Sequence, residues 1–364
     1  MSLEHLIIKQ ATDAQAHEAL LHEAGFWGAR FEINVNDYVK LAPIFEHGAF
    51  ARDGRLTHWV LVPEGDPDSV EVYASCQVFT RDILTLQRGE ISPSTSFGHL
   101  ITSVVVAPEH RGKGYGKRFM SLMHSALALH RYPNPKVTTF VDRASTVTVL
   151  YSAVGDYYSR CVPSIGEPGW TLQKSFVTTW PLSRAQIPSA TSSHVQLLSE
   201  SDVTRTLDSD DSNIPTDLID LQNRDPTKTY FAFVPTAPLN AYATLIGKLL
   251  LDRGDSPSNL SWGAKVPDKC DFMAWSFFGL QNLQLVVARD AKCESVEIWN
   301  VPEQLRKIAR ATGGETTERV DDLSAFKWYG QECDSKVDVA DVVWALKERY
   351  SWCQVNICAI QGIY

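Results

Sequence analysis

The stretch from residue 104 to 124, VVVAPEHRGKGYGKRFMSLMH, constrains the fold of this chain more than any other part of the sequence. It passes from β-branched residues typical of a strand, through three glycines and several basic residues, into a helical pattern. Phe119, Leu122 and Met123 fall at the spacing that forms one apolar face of a helix. The stretch therefore predicts a strand, a glycine turn and a helix that packs on a sheet.

The glycine turn is suited to a ligand that carries phosphate. Glycines ahead of a helix let backbone N–H groups approach an anion, and the helix N-terminus carries roughly half a positive charge. A Walker A loop is excluded, because the Gly116–Lys117 pair is followed by Arg118 rather than by serine or threonine. The dinucleotide-binding fingerprint is excluded as well, because the glycines follow G-x-G-x-G and not G-x-G-x-x-G.

The pattern that does fit is Arg-x-x-Gly-x-Gly, formed by Arg111, Gly114 and Gly116 between strand and helix. It resembles the pyrophosphate loop of the GNAT superfamily of acetyl-CoA-dependent N-acyltransferases. The resemblance implies a mixed-sheet α/β fold of GNAT type, acetyl-CoA as cosubstrate and no metal. It also implies a set of cofactor-binding residues on the strand and in the turn, namely Val104, Val105, Val106, Arg111, Gly112, Lys113, Gly114, Tyr115, Gly116 and Lys117.

The resemblance assigns roles within that set. Backbone groups of Val104 and Val106 would pair with the pantetheine arm as an added strand would. The amides from 111 to 117 would hold the pyrophosphate. A backbone N–H on the same strand would polarise the thioester carbonyl.

A second segment, VLYSAVGDYYSRCVPSIGEPGWTLQ, resembles a motif of the fungal lysine N6-acetyltransferases of lysine catabolism. The C-terminal segments VEIWNVPEQL, FKWYG and YSWC resemble the same family, so the resemblance spans most of the chain. It implies that L-lysine is the acceptor. The residues that match the motif in order are Leu150, Tyr151, Ser152, Gly155, Tyr158, Gly169 and Trp170.

Acetyl transfer to an amine requires an acid for the departing thiolate and profits from a base for the amine. Tyr158 is the first candidate for the acid, because it holds the place of the tyrosine that precedes Gly-Trp. Tyr151 is the second candidate, and Tyr157 is expected to pack. His99 and Asp142 are candidates for the base, and a water chain is the alternative to both.

The length of 364 residues and the hydrophobic content of 44% suffice for two domains. The chain is polar, Pro/Ser-rich and without periodicity from 181 to 196, which predicts a linker. We expect a GNAT catalytic domain over 1–185. A second α/β domain over 190–364, which could be a degenerate GNAT-like domain, is expected to close over the acceptor site. The segment KVTTFVD is predicted as a strand, DVADVVWALKERY as a helix and DSDDSN as a solvated loop.

The net charge of −9 argues against nucleic acid as a partner and suits a cationic substrate. The seven cysteines include no Cys-x-x-Cys pair, so neither a disulfide framework nor a zinc site is indicated. The first residues lack the apolar core of a signal peptide, and no apolar run approaches the roughly 20 residues of a membrane span. We therefore expect a cytoplasmic protein without a membrane partner, whose oligomeric state the sequence leaves open.

Two rival hypotheses stay open at this point. The acceptor could be another amine, such as a polyamine, a protein lysine or a protein N-terminus. The chain could also be a CoA-binding sensor without turnover. A closed acceptor cleft would favour a small amine, and cofactor binding without an acetylated product would favour the sensor.

Overall fold

The computed structural model describes residues 3–29, 33–181, 183, 195–234, 245, 261–267, 272–274, 295–301, 303–330 and 339–346. These residues fall into two compact units. The first unit lies within Met1–Gln173, Pro215–Val234 and Ser324–Ala345, and the second within Lys174–Ile214, Pro235–Leu323 and Leu346–Tyr364. Each unit draws on chain from both sides of the predicted boundary between 185 and 190, and that boundary stays a prediction.

Both units contain strands and helices among their described residues. The strands are β1 (Leu6–Gln10), β2 (Leu56–Pro63), β3 (Ala74–Leu86), β4 (Ser94–Val106), β5 (Val147–Ser152), β6 (Thr171–Leu172), β7 (Phe176–Pro181), β8 (Gln196–Leu198), β9 (Thr229–Phe233), β10 (Gly263–Lys265), β11 (Phe272–Ala274), β12 (Ser295–Trp299), β13 (Glu315–Glu318), β14 (Leu323–Trp328) and β15 (Val342–Trp344). The helices are α1 (Asp13–Glu23), α2 (Val35–Glu46), α3 (Tyr115–Leu127), α4 (Glu200–Asp211), α5 (Ile214–Arg224) and α6 (Glu303–Ala311). A π-helical turn covers Ala24–Gly28, and short 3₁₀ turns cover Pro108–His110, Tyr157–Arg160 and Val339–Asp341.

A large mixed sheet forms the first unit, with the strand order β1-β2-β3-β4-β5-β14-β6. The pairs β1–β2, β2–β3 and β3–β4 are antiparallel, whereas the pair β4–β5 is parallel. Along one edge β3 pairs first with β2 and then, from Ile83 to Leu86, with β9, which in turn pairs with β15. The long pairing of β3 with β4 holds β4 in place from Ser94 to Val106.

Helices cover both faces of this sheet. On one face α3 packs through Phe119 and Met123, together with Ile8, Trp59 and other apolar residues of the first strands. On the opposite face lies a smaller cluster in which Ala19 of α1 joins Ile7, Val60 and Val62. Side chains alternate between the faces of a strand, so neighbours such as Ile7 and Ile8 contribute to different clusters. The first unit is therefore an α/β/α layered structure.

The second unit contains two antiparallel three-stranded sheets, with the orders β11-β10-β8 and β12-β7-β13. Ser199 caps α4 in a capping box with Asp202. Trp180 of β7 is buried, and its indole N–H donates to Thr312 Oγ1 at 3.0 Å. The mixed α/β fold class is thus confirmed, and the C-terminal part of the chain contributes strands and helices of its own.

Several predicted elements are confirmed. The segments HLIIKQA, THWVLVPEG and HLITSVVVAP, which the sequence predicts as strands, form β1, β2 and β4 of the sheet. The segment TDAQAHEALLHEAG, which the sequence predicts as a helix with Thr12 or Asp13 at its N-cap, forms α1. The Thr12 side chain accepts from the Gln15 N–H in a capping box. The strand, glycine turn and helix predicted for 104–124 are present as β4, the turn and α3.

Three local predictions are wrong. KVTTFVD forms a single bridge, between Val137 and Ile8, and no strand, because the Thr139 hydroxyl takes the Gln10 N–H that a ladder would use. The described part of DVADVVWALKERY is a 3₁₀ turn followed by β15, because parallel pairing with β9 outweighs the helical spacing. DSDDSN is the end of α4 and the turn after it.

Gly169 of the Gly-Trp motif has a steric reason to be glycine. A Cβ at this position would lie 2.4 Å from the Tyr158 carbonyl oxygen and 2.7 Å from that of Cys161. The close approach lets the Trp170 N–H donate to the Tyr158 carbonyl at 3.2 Å. The 3₁₀ turn at Tyr157–Arg160 is thereby pinned against the start of β6.

We expect Gly169→Ala to destabilise the protein by about 1–3 kcal/mol, the usual cost of forcing extra atoms into a well-packed site. Urea unfolding followed by circular dichroism measures the loss. Gly65→Ala is the matched control, since a Cβ at Gly65 meets nothing within 4 Å. Equal stabilities of the two variants would contradict the steric explanation.

Candidate active site

The main feature of the candidate site is that β4 and β5 part in the middle of the sheet. The two strands pair only from Gly98 to Leu100 on β4, opposite Val147 to Val149 on β5. Within the described residues, β4 continues to Val106 paired on its β3 side alone. The backbone edge of β4 that faces β5 is therefore open over its last residues.

The direction of the backbone groups on this edge follows from one hydrogen bond. The Ala107 N–H donates to the Tyr73 carbonyl at 3.3 Å, on the β3 side. Backbone groups alternate in direction along a strand, so those of Val106 and Val104 point away from β3 and those of Val105 point toward it. The Val106 carbonyl accepts from Arg111 Nε at 3.2 Å, which joins this edge to the glycine turn.

A β-bulge interrupts β4 beside the open edge. Ser103 and Val104 together oppose the single residue Cys76 of β3, and Ser103 has φ 51°. Such a dihedral is rare outside glycine and asparagine, and bulges redirect the chain near functional sites. The bulge lies within the open part of β4, three residues beyond Leu100, where pairing with β5 ends.

The glycine turn connects the open edge to α3. Gly112 and Gly114 have φ 74° and 89°, which a side chain would strain, and Gly114 is the N-cap of α3. The first amides of a helix have no partner within the helix, so the start of α3 presents N–H groups to an anion. Arg111, Lys113 and Lys117 are exposed around it.

Gly116 leaves room for a tyrosine hydroxyl at the start of α3. A Cβ at Gly116 would lie 3.0 Å from Tyr157 Oη and 3.1 Å from Val106 Cγ2. Burial raises the pKa of Tyr157, so this hydroxyl keeps its proton at neutral pH. Tyr157 is expected from the sequence to pack, and its ring does so against Tyr158, with ring centroids 5.4 Å apart.

Of the two tyrosines predicted as acids, Tyr151 precedes Tyr157 in the sequence and Tyr158 follows it. Tyr158 is 9% exposed, and its ring meets Trp170 edge-on at 6.2 Å. Tyr151 is half-buried at the end of β5, and its ring lies 6.4 Å from Trp344. Tyr115, predicted as part of the turn, is buried and packs against Tyr73 at 4.8 Å.

His99 lies in the paired part of β4, opposite Thr148 of β5 and Thr80 of β3. Its side chain is fully buried, and neither ring nitrogen has a hydrogen-bond partner among the described residues. Burial, with a smaller contribution from Arg143, lowers the pKa of His99 to about 3. The imidazole is therefore neutral at physiological pH.

Glu23 is a charged residue at the bulge that sequence reasoning missed. It is the last residue of α1, and its side chain is buried against β3 and β4. Its carboxyl accepts three hydrogen bonds, from Tyr38 Oη at 2.6 Å, Gln77 Nε2 at 2.9 Å and Ser103 Oγ at 2.9 Å. The one signal in the sequence is a glutamate placed next to alanine and glycine at the apolar end of the helix.

Burial raises the pKa of Glu23 to about 7, and the three hydrogen bonds offset part of that rise. The folded protein therefore binds a proton more tightly than the unfolded chain does. Stability attributable to this group is highest below about pH 4.5 and is lost as the pH rises toward 7.

We expect the stability of Glu23→Gln relative to the parent protein to increase between pH 5 and pH 8. The parent protein bears the free-energy cost of a buried negative charge as Glu23 ionises, and the variant does not. Urea unfolding at both pH values measures the difference. Glu18→Gln, half-buried on the same helix, is the control and should show no such trend. A pH-independent difference for Glu23→Gln would contradict the raised pKa.

Comparison with known proteins adds two findings from sequence. A family model described as the LYC1 GNAT-like C-terminal domain matches residues 279–353. A lysine acetyltransferase of Yarrowia lipolytica (strain CLIB 122 / E 150) is 27% identical over 302 residues, which cover 74% of this chain and 72% of that protein.

Similar solved structures include two GCN5-related N-acetyltransferases. The Kribbella flavida protein has 16% identity and a TM-score of 0.45, and the match covers 89% of this chain and 72% of that one. The Anabaena variabilis protein has 13% identity and a TM-score of 0.46, with the same two coverages. These likenesses are too distant to transfer residue roles. Together with the motifs described above, the sequence matches show that the chain resembles GNAT-type acetyltransferases, and among them the fungal lysine acetyltransferase family.

Proposed function

We propose that this protein transfers the acetyl group of acetyl-CoA to the side-chain amine of L-lysine by direct attack in a ternary complex. The observation that carries the proposal is the open edge of β4 next to the glycine turn. A strand edge with unpaired backbone groups suits an extended amide chain such as pantetheine, and a helix start suits a pyrophosphate. The name of the Yarrowia lipolytica relative supports lysine as the acceptor.

In this proposal the cofactor follows the open edge from the turn to the bulge. Backbone groups of Val104 and Val106 pair with the pantetheine amides, while Val105 stays paired with β3. Amides from 111 to 117 hold the pyrophosphate, and the exposed side chains of Arg111 and Lys117 add positive charge. A protein of net charge −9 thus keeps a basic surface at its cofactor site.

The thiolate leaves with a proton from a tyrosine of β5 or of the segment that follows it. Tyr158 is the first candidate and Tyr151 the second. The Tyr157 hydroxyl lies beside Gly116 at the start of α3, next to the proposed cofactor site, so Tyr157 is a third residue whose hydroxyl could supply the proton.

The C-terminal domain over 190–364 belongs to the proposal as the part that closes over the acceptor. Among the described residues, glycines at the start of a helix that follows a strand occur at 112–116 alone, so cofactor binding is assigned there.

We place the reaction in lysine catabolism in the cytoplasm. No helix of the described residues is long and apolar enough to span a membrane.

A panel of acceptors tests the proposed function. Pure protein is incubated with acetyl-CoA and L-lysine, spermidine or a lysine-containing peptide, and products are identified by mass spectrometry. We expect N6-acetyl-lysine as the main product. Acetylation of spermidine or the peptide alone would replace the acceptor, and acetyl-CoA binding without any product would support the sensor hypothesis.

Replacing Gly114 or Gly116 with valine should weaken acetyl-CoA binding at least tenfold, measured by calorimetry. Gly114 needs φ 89°, and a Cβ at Gly116 would collide with Tyr157 and Val106. Gly89→Val is the matched control, since Gly89 has φ 84° with nothing within 4 Å and lies in the turn between β3 and β4. Unchanged affinity in folded Gly114 and Gly116 variants would exclude this turn as the cofactor site.

Tyr158→Phe should lower kcat on the order of 10²-fold, with little change in acetyl-CoA affinity, if its hydroxyl protonates the thiolate. Tyr151→Phe and Tyr157→Phe are measured beside it. A large loss of kcat in only one of these two variants would move the role to that residue. Full activity of all three would mean that water supplies the proton.

A further inference from the structure

Glu23 holds a carboxyl group that the proposed chemistry has not yet used. Burying an ionisable carboxyl without a cation is costly, and a neutral glutamine would satisfy the same three groups once the Gln77 amide is turned to present its oxygen. The three described groups that bond to it are a phenol, an amide and a hydroxyl, all neutral. A buried carboxyl at a position where a neutral amide would be more stable indicates that the carboxyl is used for proton transfer.

The position of Glu23 relative to β4 points to that use. Its partner Ser103 is the first residue of the bulge and lies on the open part of β4, next to Val104. A cofactor that runs from the glycine turn along Val106 and Val104 has its thioester end at the bulge. This step rests on the proposed function.

We propose that the Glu23 carboxylate is the general base that takes a proton from the acceptor amine as it attacks the thioester. Tyr38 from α2, Gln77 from β3 and Ser103 from β4 hold the carboxyl in place. Since a carboxylate has about four acceptor positions, these three bonds leave one for the amine.

The transfer balances as follows. The neutral amine nitrogen forms a bond to the acetyl carbonyl carbon, the carbon–sulfur bond breaks, and the electron pair of that bond stays on sulfur. The attacking nitrogen loses one proton to the Glu23 carboxylate. The thiolate gains one proton from the acid, and the products are the acetylated amine and CoA thiol. Glu23 then returns its proton to solvent and the acid regains one from solvent, which restores both groups.

The groups around Glu23 support this assignment. A base is most effective when its pKa lies near the working pH, and burial raises the pKa of Glu23 to about 7. The pKa of the Cys76 thiol on β3 is raised by burial and, to a smaller degree, by Glu23, so the thiol stays neutral. The neighbouring His22 on α1 lies 3.4 Å from Glu18. His99, with its pKa lowered to about 3, is a much weaker base.

Steady-state kinetics of the full chain test the role of Glu23. In the parent protein kcat/KM falls with falling pH because the amine, with a pKa of about 10.4, becomes protonated. Below about pH 7 an additional limb of unit slope should appear, because the protonated carboxyl cannot act as a base. Glu23→Gln should lose kcat on the order of 10²-fold and lose that limb, while acetyl-CoA affinity stays within twofold. Glu18→Gln should retain the parent profile.

A second measurement separates this role from folding and from the proposed function. Glu23→Ala removes the carboxyl, and formate added to it should restore part of kcat but none of the activity of Glu23→Gln. If the parent protein acetylates an amine and Glu23→Gln keeps its kcat or changes only the amine KM, the base role falls and the proposed function stands. If no amine is acetylated, the proposed function falls, and the base role falls with it.

Discussion

The parting of β4 from β5 is the constraint on which the rest of the site depends. Backbone N–H and C=O groups inside a sheet need partners, and a strand that leaves its neighbour exposes a row of them. The chain tolerates this because β4 remains paired with β3 along its length. The open edge begins after Leu100, contains the bulge at Ser103 and leads to the turn at Gly114. The geometry provides a short, polar docking strand for an extended ligand.

A buried chain of hydrogen bonds fixes the other side of the gap. The Trp170 indole N–H donates to Thr148 Oγ1 at 2.9 Å, and Thr148 contacts the Tyr329 hydroxyl at 3.2 Å. His124 Nε2 lies 2.9 Å from the Cys161 carbonyl oxygen and must donate to it, so Nδ1 accepts from Tyr329 at 2.8 Å. Burial lowers the pKa of His124 to about 3, which keeps this tautomer neutral. These hydrogen bonds connect β5, α3 and the Gly-Trp segment.

Features with local causes were predictable from the sequence, and features with long-range causes were not. The glycine turn follows from dihedrals that only Gly112 and Gly114 adopt easily, so its spacing alone indicated both structure and ligand class. Glu23 meets Ser103 across 80 residues of sequence, through a bulge that no local pattern encodes. The segment that forms β15 was predicted as a helix, because its apolar spacing fits both structures and its pairing with β9 decides between them.

Amide hydrogen exchange at Val104 and Val106, with and without acetyl-CoA, tests the central claim most directly. Both amides point into the gap, so they should exchange fast in the free protein and become protected when the cofactor binds. The amide of Val105 points toward β3 and should be protected in both states, which makes it an internal control. Protection of Val104 or Val106 in the free protein, or no change when acetyl-CoA binds, would contradict the open edge as the cofactor site.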